Sequence, residues 1–303
     1  MLSLHTNAAA LSAQNSIGRT QSQLSTSQTR LSTGFRVNSA MDDAAGLQIA
    51  TRLKAQTSGM AMAMRNTQNS ISMLQTGEGA FDEVTTMLIR MKDLATQAAD
   101  ASSTTKDITA LQSEYDALGN ELFNIVRNTT FGGQALLNPT ATGTGISANV
   151  GTLAAAVKFQ IGATSSETMT LDLTTAGGLT NNMDTLNTAL GNVSANYNTQ
   201  NTAGNANLST ANVAATLDSI TTALDEVGAI RSTLGAAANR LDHVYNNLSN
   251  VSTNTKAATG RIMDTDFATE SSNMTSSQML LQAGTAMLKQ SNSTSSLVMS
   301  LLQ

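Results

Sequence analysis

"VGAIRSTLGAAANRLDHVYNNLSNV" occupies residues 227–251, and its apolar positions recur without a break. Val227, Ile230, Leu234, Ala237, Leu241, Val244, Leu248 and Val251 follow one another at alternating steps of 3 and 4. That rhythm keeps one face of a helix turned toward a partner along its whole length and favours gentle left-handed supercoiling. A strand would alternate at every second residue, and this stretch does not. It predicts a long helix packed lengthwise against others.

The same rhythm appears elsewhere in the chain. Met60, Thr67, Leu74, Phe81 and Leu88 lie seven apart, with Met64 and Ile71 between them. Val84, Met87, Met91, Leu94 and Ala98 continue at steps of 3 and 4, and so do Ile108, Leu111, Tyr115, Leu118, Leu122 and Ile125. Near the start, Leu4, Leu11, Ile17, Leu24 and Leu31 form a looser stripe at steps of 7, 6, 7 and 7. The fold class that follows is mainly α, with long antiparallel helices in a coiled-coil-like bundle. Thr104 and Asp107 have the spacing of a capping box ahead of the third pattern. Gly77 and Gly79 weaken the second helix locally, but the heptads cross them intact, so a soft point is expected there and not a break.

Composition agrees with helices that need only thin seams. Of 303 residues, 3% are aromatic and 12% charged, and Pro139 is the single proline. Few aromatics leave little large buried area for a thick globular core. Absence of cysteine excludes disulfides, thiolate nucleophiles and thiolate metal sites. A net charge of −5 gives no basic stripe for nucleic acid. No stretch has the apolar length of a membrane span. The N-terminal "MLSLHTNAAALSAQNS" lacks a basic region followed by an apolar run, so no cleavable secretory signal is expected.

Between the helical ends lies a tract rich in Gly, Thr, Asn and Ala. Within it, "VKFQIG" (157–162) and "ETMTLDL" (167–173) alternate apolar and polar residues around the link "ATSS", which predicts a β-hairpin over 157–173. Residues 174 to 207 read as exposed loops with weak helical content.

Candidate chemistry fails on inspection. His5 and His243 are far apart with no cysteine to complete a metal site, and His243 reads as a helix-surface residue. "DTDFATE" (264–270) suggests a calcium loop, yet Ala268 stands at a required ligand position and the turn glycine is missing. The Gly/Thr tract near 143–147 lacks the strand-to-helix context of a nucleotide loop. No cofactor and no catalytic group are expected.

"LSTGFRVNSAMDDAAGLQIA" (31–50) packs an arginine, an asparagine and two adjacent aspartates into a short glycine-bounded segment. Leu31 closes the first stripe, and Gly34 stands where a helix exits through a left-handed residue, with Phe35 packing back on the last turn. Ser39 reads as the N-cap of the next helix, with Asp42 and Asp43 in its first turn complementing the helix dipole. Ala44, Ala45 and Gly46 are small enough for close backbone approach. Capping accounts for every residue type here except Arg36 and Asn38, whose partners are expected in the turn or on an adjacent subunit.

This stretch also closely resembles the signature of bacterial flagellins. The resemblance extends through "RNTQNSISMLQTGEGAFDEV" (65–84), "IRMKDLATQAAD" (89–100), "RIMDTDFATESSNM" (261–274) and "LLQAGTAMLKQSN" (280–292), covering about two thirds of the chain at both ends and in order. It departs from the common pattern at His5, Phe35 and Met41, and in a tail without the usual proline. The resemblance implies a partition into an inner-core helix and turn at 1–40 and an outer-core part at 41–137. A short, variable, surface-facing region follows at 138–207, then outer core at 208–255 and an inner-core helix at 256–303. It further implies an extracellular filament subunit, exported through the flagellar channel with its N-terminus unprocessed. Its partners would be many copies of itself, the export apparatus, an export chaperone, the filament cap and the hook-junction proteins.

Assembly and packing are expected from Leu4, Leu11, Leu24, Leu31, Leu234, Leu241, Leu248, Leu280, Met287 and Leu301. Burial of such residues between chains supplies roughly 25 cal/mol per Å² of apolar surface. Terminal helices with narrow seams are marginal alone, so they are expected to order on polymerising. The resemblance also implies a host partner, the vertebrate Toll-like flagellin receptor, reading Arg90 and Leu94 in "IRMKDLATQ" and Glu114 on the next helix. The alternative readings are a hook–filament junction protein of the same architecture and a surface adhesin. An enzyme is not expected.

Overall fold

The computed structural model describes residues 7–138, 151–173, 183–198 and 206–301, the side chains of residues 198 and 295–301 excepted. The chain is mainly α, with long helices packed together and two small antiparallel strand pairs. Four helices carry most of it: α1 (Ala8–Thr33), α2 (Ala44–Ala98), α6 (Val213–Met263) and α7 (Phe267–Leu301). Shorter elements lie between them: α3 (Thr105–Asn128), β1 (Thr130–Phe131), β2 (Gln134–Ala135), β3 (Val157–Gln160), β4 (Thr168–Leu171), α4 (Met183–Val193) and α5 (Ala195–Asn198). No helix among the described residues is long and apolar enough to cross a membrane. The chain forms two compact units, one of residues 1–58 with 252–303 and one of residues 59–251.

Threonine and serine are mediocre helix formers, yet they populate these helices densely. Their hydroxyls return to the carbonyl four residues back, as Thr20 does to Ser16 (3.0 Å), Thr26 to Ser22 (3.1 Å) and Thr29 to Ser25 (3.0 Å). Thr67 makes the same bond to Ala63 at 2.8 Å, which lets it occupy a fully buried heptad position.

The unit of residues 59–251 holds the main core. The predicted heptads of α2 are all inside: Met60, Thr67, Leu74, Phe81 and Leu88 are buried, as are Val84, Met87, Met91, Leu94 and Ala98. α2 runs through Gly77 and Gly79 without interruption. Gly77 also makes room for a neighbour, since a Cβ there would stand 3.1 Å from the Leu153 side chain. α3 starts with a reciprocal capping box between Thr104 and Asp107 and contributes Tyr115, Leu122 and Val126. α6 adds Val227, Ile230, Leu234, Ala237 and Leu241, after which its seam thins: Val244 and Leu248 are half-buried and Val251 is 38% exposed.

The β-hairpin forms with Val157 opposite Leu171 and Phe159 opposite Met169. Two further elements were not foreseen. Gly132 and Gly133 both take positive φ (59° and 83°), the turn that closes the β1–β2 hairpin and sends Leu136 and Leu137 into the core. Residues 183–193, within the tract read as exposed loops with weak helical content, form α4 with Met183, Leu186, Ala189, Leu190 and Val193 buried. The Tyr115 hydroxyl donates to the Val193 carbonyl at 2.8 Å, and a Cβ on Gly119 would stand 2.4 Å from the Ser194 hydroxyl. α3 thus holds the end of α4 by direct contact. The segment expected to face outward as loop is in part a wall of the core.

Candidate assembly surfaces

In the terminal unit, α1 and α7 lie side by side and antiparallel. Asn7 donates to the Ser291 carbonyl (3.3 Å) and hydroxyl (3.2 Å), and Arg30 at the far end of α1 faces Glu270 at 3.7 Å. Midway, a Cβ on Gly284 would stand 2.9 Å from Ile17, so the backbones approach closely there. The less exposed positions of α7 are Glu270, Met274, Ser277, Leu281, Gly284, Leu288 and Ser291, a strict alternation of 4 and 3. The facing stripe of α1 comprises Asn7, Ala10, Ala13, Ile17, Thr20, Leu24, Ser27 and Arg30. Six of these eight α1 positions and four of the seven on α7 are polar or lack a sizeable side chain, where a stable coiled coil would carry large apolar residues.

Several large apolar residues of these helices point away from the seam. Leu11 is 62% exposed, Met279 60%, Leu280 59% and Met287 67%. On α7 they join Ala283 and Ala286, both exposed, into a second, outward stripe beside the seam: Leu280, Ala283 and Met287 at steps of 3 and 4, Met279, Ala283 and Ala286 at steps of 4 and 3. Of the residues expected to pack, Leu24, Leu234 and Leu241 are buried, Leu31 and Leu248 are half-buried, and Leu11, Leu280 and Met287 are exposed within the subunit. Leu11 is outside for a geometric reason. The six-residue step from Leu11 to Ile17 turns it by about 120° from the line of Ile17 and Leu24, at about 100° per residue. Leu4 and the side chain of Leu301 lie outside the described residues.

The connections at the end of this helix pair are built from backbone and caps. Gly34 ends α1 at φ 76°, its N–H donating to the Arg30 carbonyl at 2.8 Å. The chain then runs antiparallel to the α6–α7 connection: Phe35 bridges Asp264, Arg36 N–H donates to the Met263 carbonyl (2.6 Å), and Thr265 N–H donates to the Gly34 carbonyl (3.0 Å). The Arg36 guanidinium donates to the Ile262 carbonyl at 2.9 Å, and the Asn38 amide to the Phe35 carbonyl at 2.8 Å. Both side chains therefore find partners within the subunit. Phe35 is 44% exposed and is held by its backbone bridge.

Three aspartates organise the helix starts, in a different distribution from the one expected. Asp42 accepts from the N–H groups of Asn38 (3.1 Å) and Ser39 (2.9 Å) and from the Ser39 hydroxyl (3.1 Å), closing a separate turn. α2 begins only at Ala44, and Asp43 caps it by accepting from Gly46 N–H at 2.8 Å. Ser39 is thus not the cap of α2. Gly46 is required beside that cap, because a Cβ would stand 2.3 Å from the Asp43 carboxylate. Asp266 caps α7, accepting from Ala268 N–H (3.0 Å) and the Thr269 hydroxyl (2.7 Å). Hydrogen bonds from Ser39 hold the Asp42 carboxyl below the usual range, and the Thr269 hydroxyl does the same for Asp266.

In the other unit, Arg90 forms a two-pronged ion pair with Glu114 (Nε 2.9 Å, Nη2 2.5 Å to one carboxylate oxygen), both side chains about half exposed. Leu94 does not join them at the surface, being 1% exposed and part of the core.

Comparison with known proteins places these features in context. Residues 4–142 match the family described as the bacterial flagellin N-terminal helical region, and residues 217–302 the corresponding C-terminal helical region. A flagellin of Halalkalibacterium halodurans is 36% identical over 297 residues, spanning 98% of both chains. Flagellin A of Vibrio anguillarum is 32% identical over an alignment of 381 residues that spans all of both. A solved structure described as a flagellar hook-associated protein of Vibrio parahaemolyticus shares the fold. It has a TM-score of 0.54 at 19% identity, covering 74% of this chain and 100% of that one.

Proposed function

Since the chain belongs to the bacterial flagellin family and is a structural subunit of the flagellar filament, we propose that its outward apolar stripe on α7 is what joins neighbouring subunits. The protein is not an enzyme, and the filament it builds lies outside the cell. The observation that carries the proposal is the exposure of Met279, Leu280 and Met287 on α7, each at least 59% exposed within the subunit. A lone subunit leaves this surface in water, whereas a neighbour's helix covers it. Leu11 on α1 extends the same logic to the other terminal helix.

The test is seeded polymerisation followed by electron microscopy and sedimentation. Leu280→Ser combined with Met287→Ser removes apolar area from this exposed face and leaves the seam residues Leu281 and Leu288 in place. Loss of filaments, with the core of residues 59–251 still folded by circular dichroism, supports the reading. Filaments at the wild-type protein concentration overturn it.

Further partners belong to this proposal. The homopolymer grows beneath a filament cap and adjoins hook-junction proteins, after passage through the export apparatus with a chaperone on the C-terminal helix. An exposed C-terminal stripe supports that last role, because such a surface needs cover before assembly. A host Toll-like flagellin receptor would meet the Arg90–Glu114 pair, and Leu94 would serve it only by supporting α2 from within. Receptor activation by Arg90→Ala, compared with wild type, tests this.

A further inference from the structure

The methionines whose side chains are described span environments from fully buried to open. Met60, Met73, Met87, Met91, Met169 and Met183 are buried at 9% exposure or less, in the unit of residues 59–251. Met41, Met62, Met279 and Met287 are at least half exposed. Met62 lies on α2, its sulfur accepting from the Arg65 guanidinium at 2.6 Å. Met41 sits in the capped turn between α1 and α2, apart from either terminal helix. Among the described side chains, only Met279 and Met287 combine an open thioether with a place on the apolar stripe.

A thioether is a soft nucleophile whose oxidation turns an apolar side chain into a polar, chiral one. We infer that Met279 and Met287 are oxidation sites that gate assembly: a peroxide converts them to sulfoxides in the free subunit and thereby blocks its addition to the filament. The step balances simply. The sulfur lone pair attacks the distal peroxide oxygen, the O–O bond breaks, the sulfur is oxidised by two electrons, and the peroxide is reduced to water. Sulfoxide oxygens then sit where a neighbour's apolar surface would pack, and each must be desolvated without a partner. Subunits already in a filament are shielded, since the same stripe is covered there. The inference rests on the assembly role proposed for this stripe.

The experiment treats purified monomer and purified filament with hydrogen peroxide, then maps the gain of about 16 Da per sulfoxide by peptide mass spectrometry. Met279 and Met287 are expected to be modified at least about tenfold faster in monomer than in filament, and Met91 and Met183 to lag in both. Oxidised monomer is expected to need at least about tenfold more protein to polymerise, equivalent to about 1.4 kcal/mol per subunit. In a Met279→Leu, Met287→Leu double variant the critical concentration measured before peroxide, whatever its value, should be unchanged after peroxide. The untreated Leu280→Ser, Met287→Ser variant separates the two ideas. If it fails to assemble while fully oxidised wild type assembles normally, the stripe is an interface but oxidation does not gate it, and the inference falls. If the serine variant assembles normally, the interface reading falls first. Loss of assembly in the peroxide-treated leucine variant also overturns the inference, because the damage then lies elsewhere.

Discussion

The Arg36 guanidinium reaches the Ile262 carbonyl at 2.9 Å across 226 positions of sequence, and the Arg36 N–H reaches the next carbonyl, of Met263. One residue thereby ties the α1–α2 connection to the last turn of α6, where helix carbonyls lack internal partners. Arg36→Ala removes the side-chain bond and leaves the backbone bond, at a cost of about 1 kcal/mol. The expected outcome is faster amide exchange at Asp264 and Thr265, with exchange in the core of residues 59–251 unchanged. Arg36→Lys should restore part of the protection, since a cation at a helix C-terminus is favourable even without the planar fork.

Acid should loosen the helix starts before it touches the core. Asp42, Asp107 and Asp266 all have lowered carboxyl pKa values, from hydrogen bonds donated by Ser39, Thr104 and Thr269 respectively. A depressed folded-state pKa gives stability that is present above the unfolded value and lost as pH falls through the folded one. The caps therefore hold at neutral pH and give way below the ordinary aspartate value of 3.8. Carboxyl titration by NMR should place all three midpoints below that value. Asp266→Asn should flatten the acid dependence of α7 helicity below the ordinary aspartate value of 3.8.

Two helix glycines two residues apart should answer substitution differently. Gly79 has open space where a Cβ would go, so Gly79→Ala should stabilise α2 by about 0.5–1 kcal/mol. Gly77→Ala would place its Cβ 3.1 Å from Leu153 and should give back part or all of that gain. Urea unfolding of the two variants is the comparison. Gly34→Ala makes a third case, destabilising by about 1 kcal/mol through its φ of 76° although nothing lies near it.

Leu94 and Arg90 separate a structural from a recognition effect. Leu94→Ala empties a fully packed position and should cost about 2–5 kcal/mol in unfolding experiments. Arg90→Ala breaks an exposed pair and should cost less than about 1 kcal/mol. A receptor assay in which Arg90→Ala loses activation at unchanged stability assigns recognition to the surface pair. Equal activation by both proteins removes Arg90 from that role.

Much of this fold was legible because a seam writes itself as a repeat. The sevenfold series from Met60 to Leu88 and the alternation from Val227 to Leu241 fixed two helices and their inward faces. The hairpin of 157–173 was readable from alternation. The Gly132–Gly133 pair carried the signal for β1–β2, since two adjacent glycines suit a turn with positive φ, but strands of two residues give no alternation to notice. α4 was missed because Met183, Leu186 and Leu190 form a run of barely three turns inside a polar tract. The partners of Arg36 could not be read locally at all. Its contact to Ile262 depends on two distant helix ends meeting. Leu11 shows the limit of stripe reading: the single step of six was the sign that it faces outward.

The account's central claim is that the terminal helices are completed by neighbouring subunits. The α1–α7 seam places Ser27, Ser277 and Gly284 where large apolar residues would hold a helix pair alone, while Leu11, Met279, Leu280 and Met287 face out. Amide hydrogen exchange over residues 8–33 and 267–294, compared between monomer and filament, tests this most directly. The account predicts rapid exchange in the monomer and exchange at least about a hundredfold slower in the filament. Equal protection of these residues in the two states would contradict it.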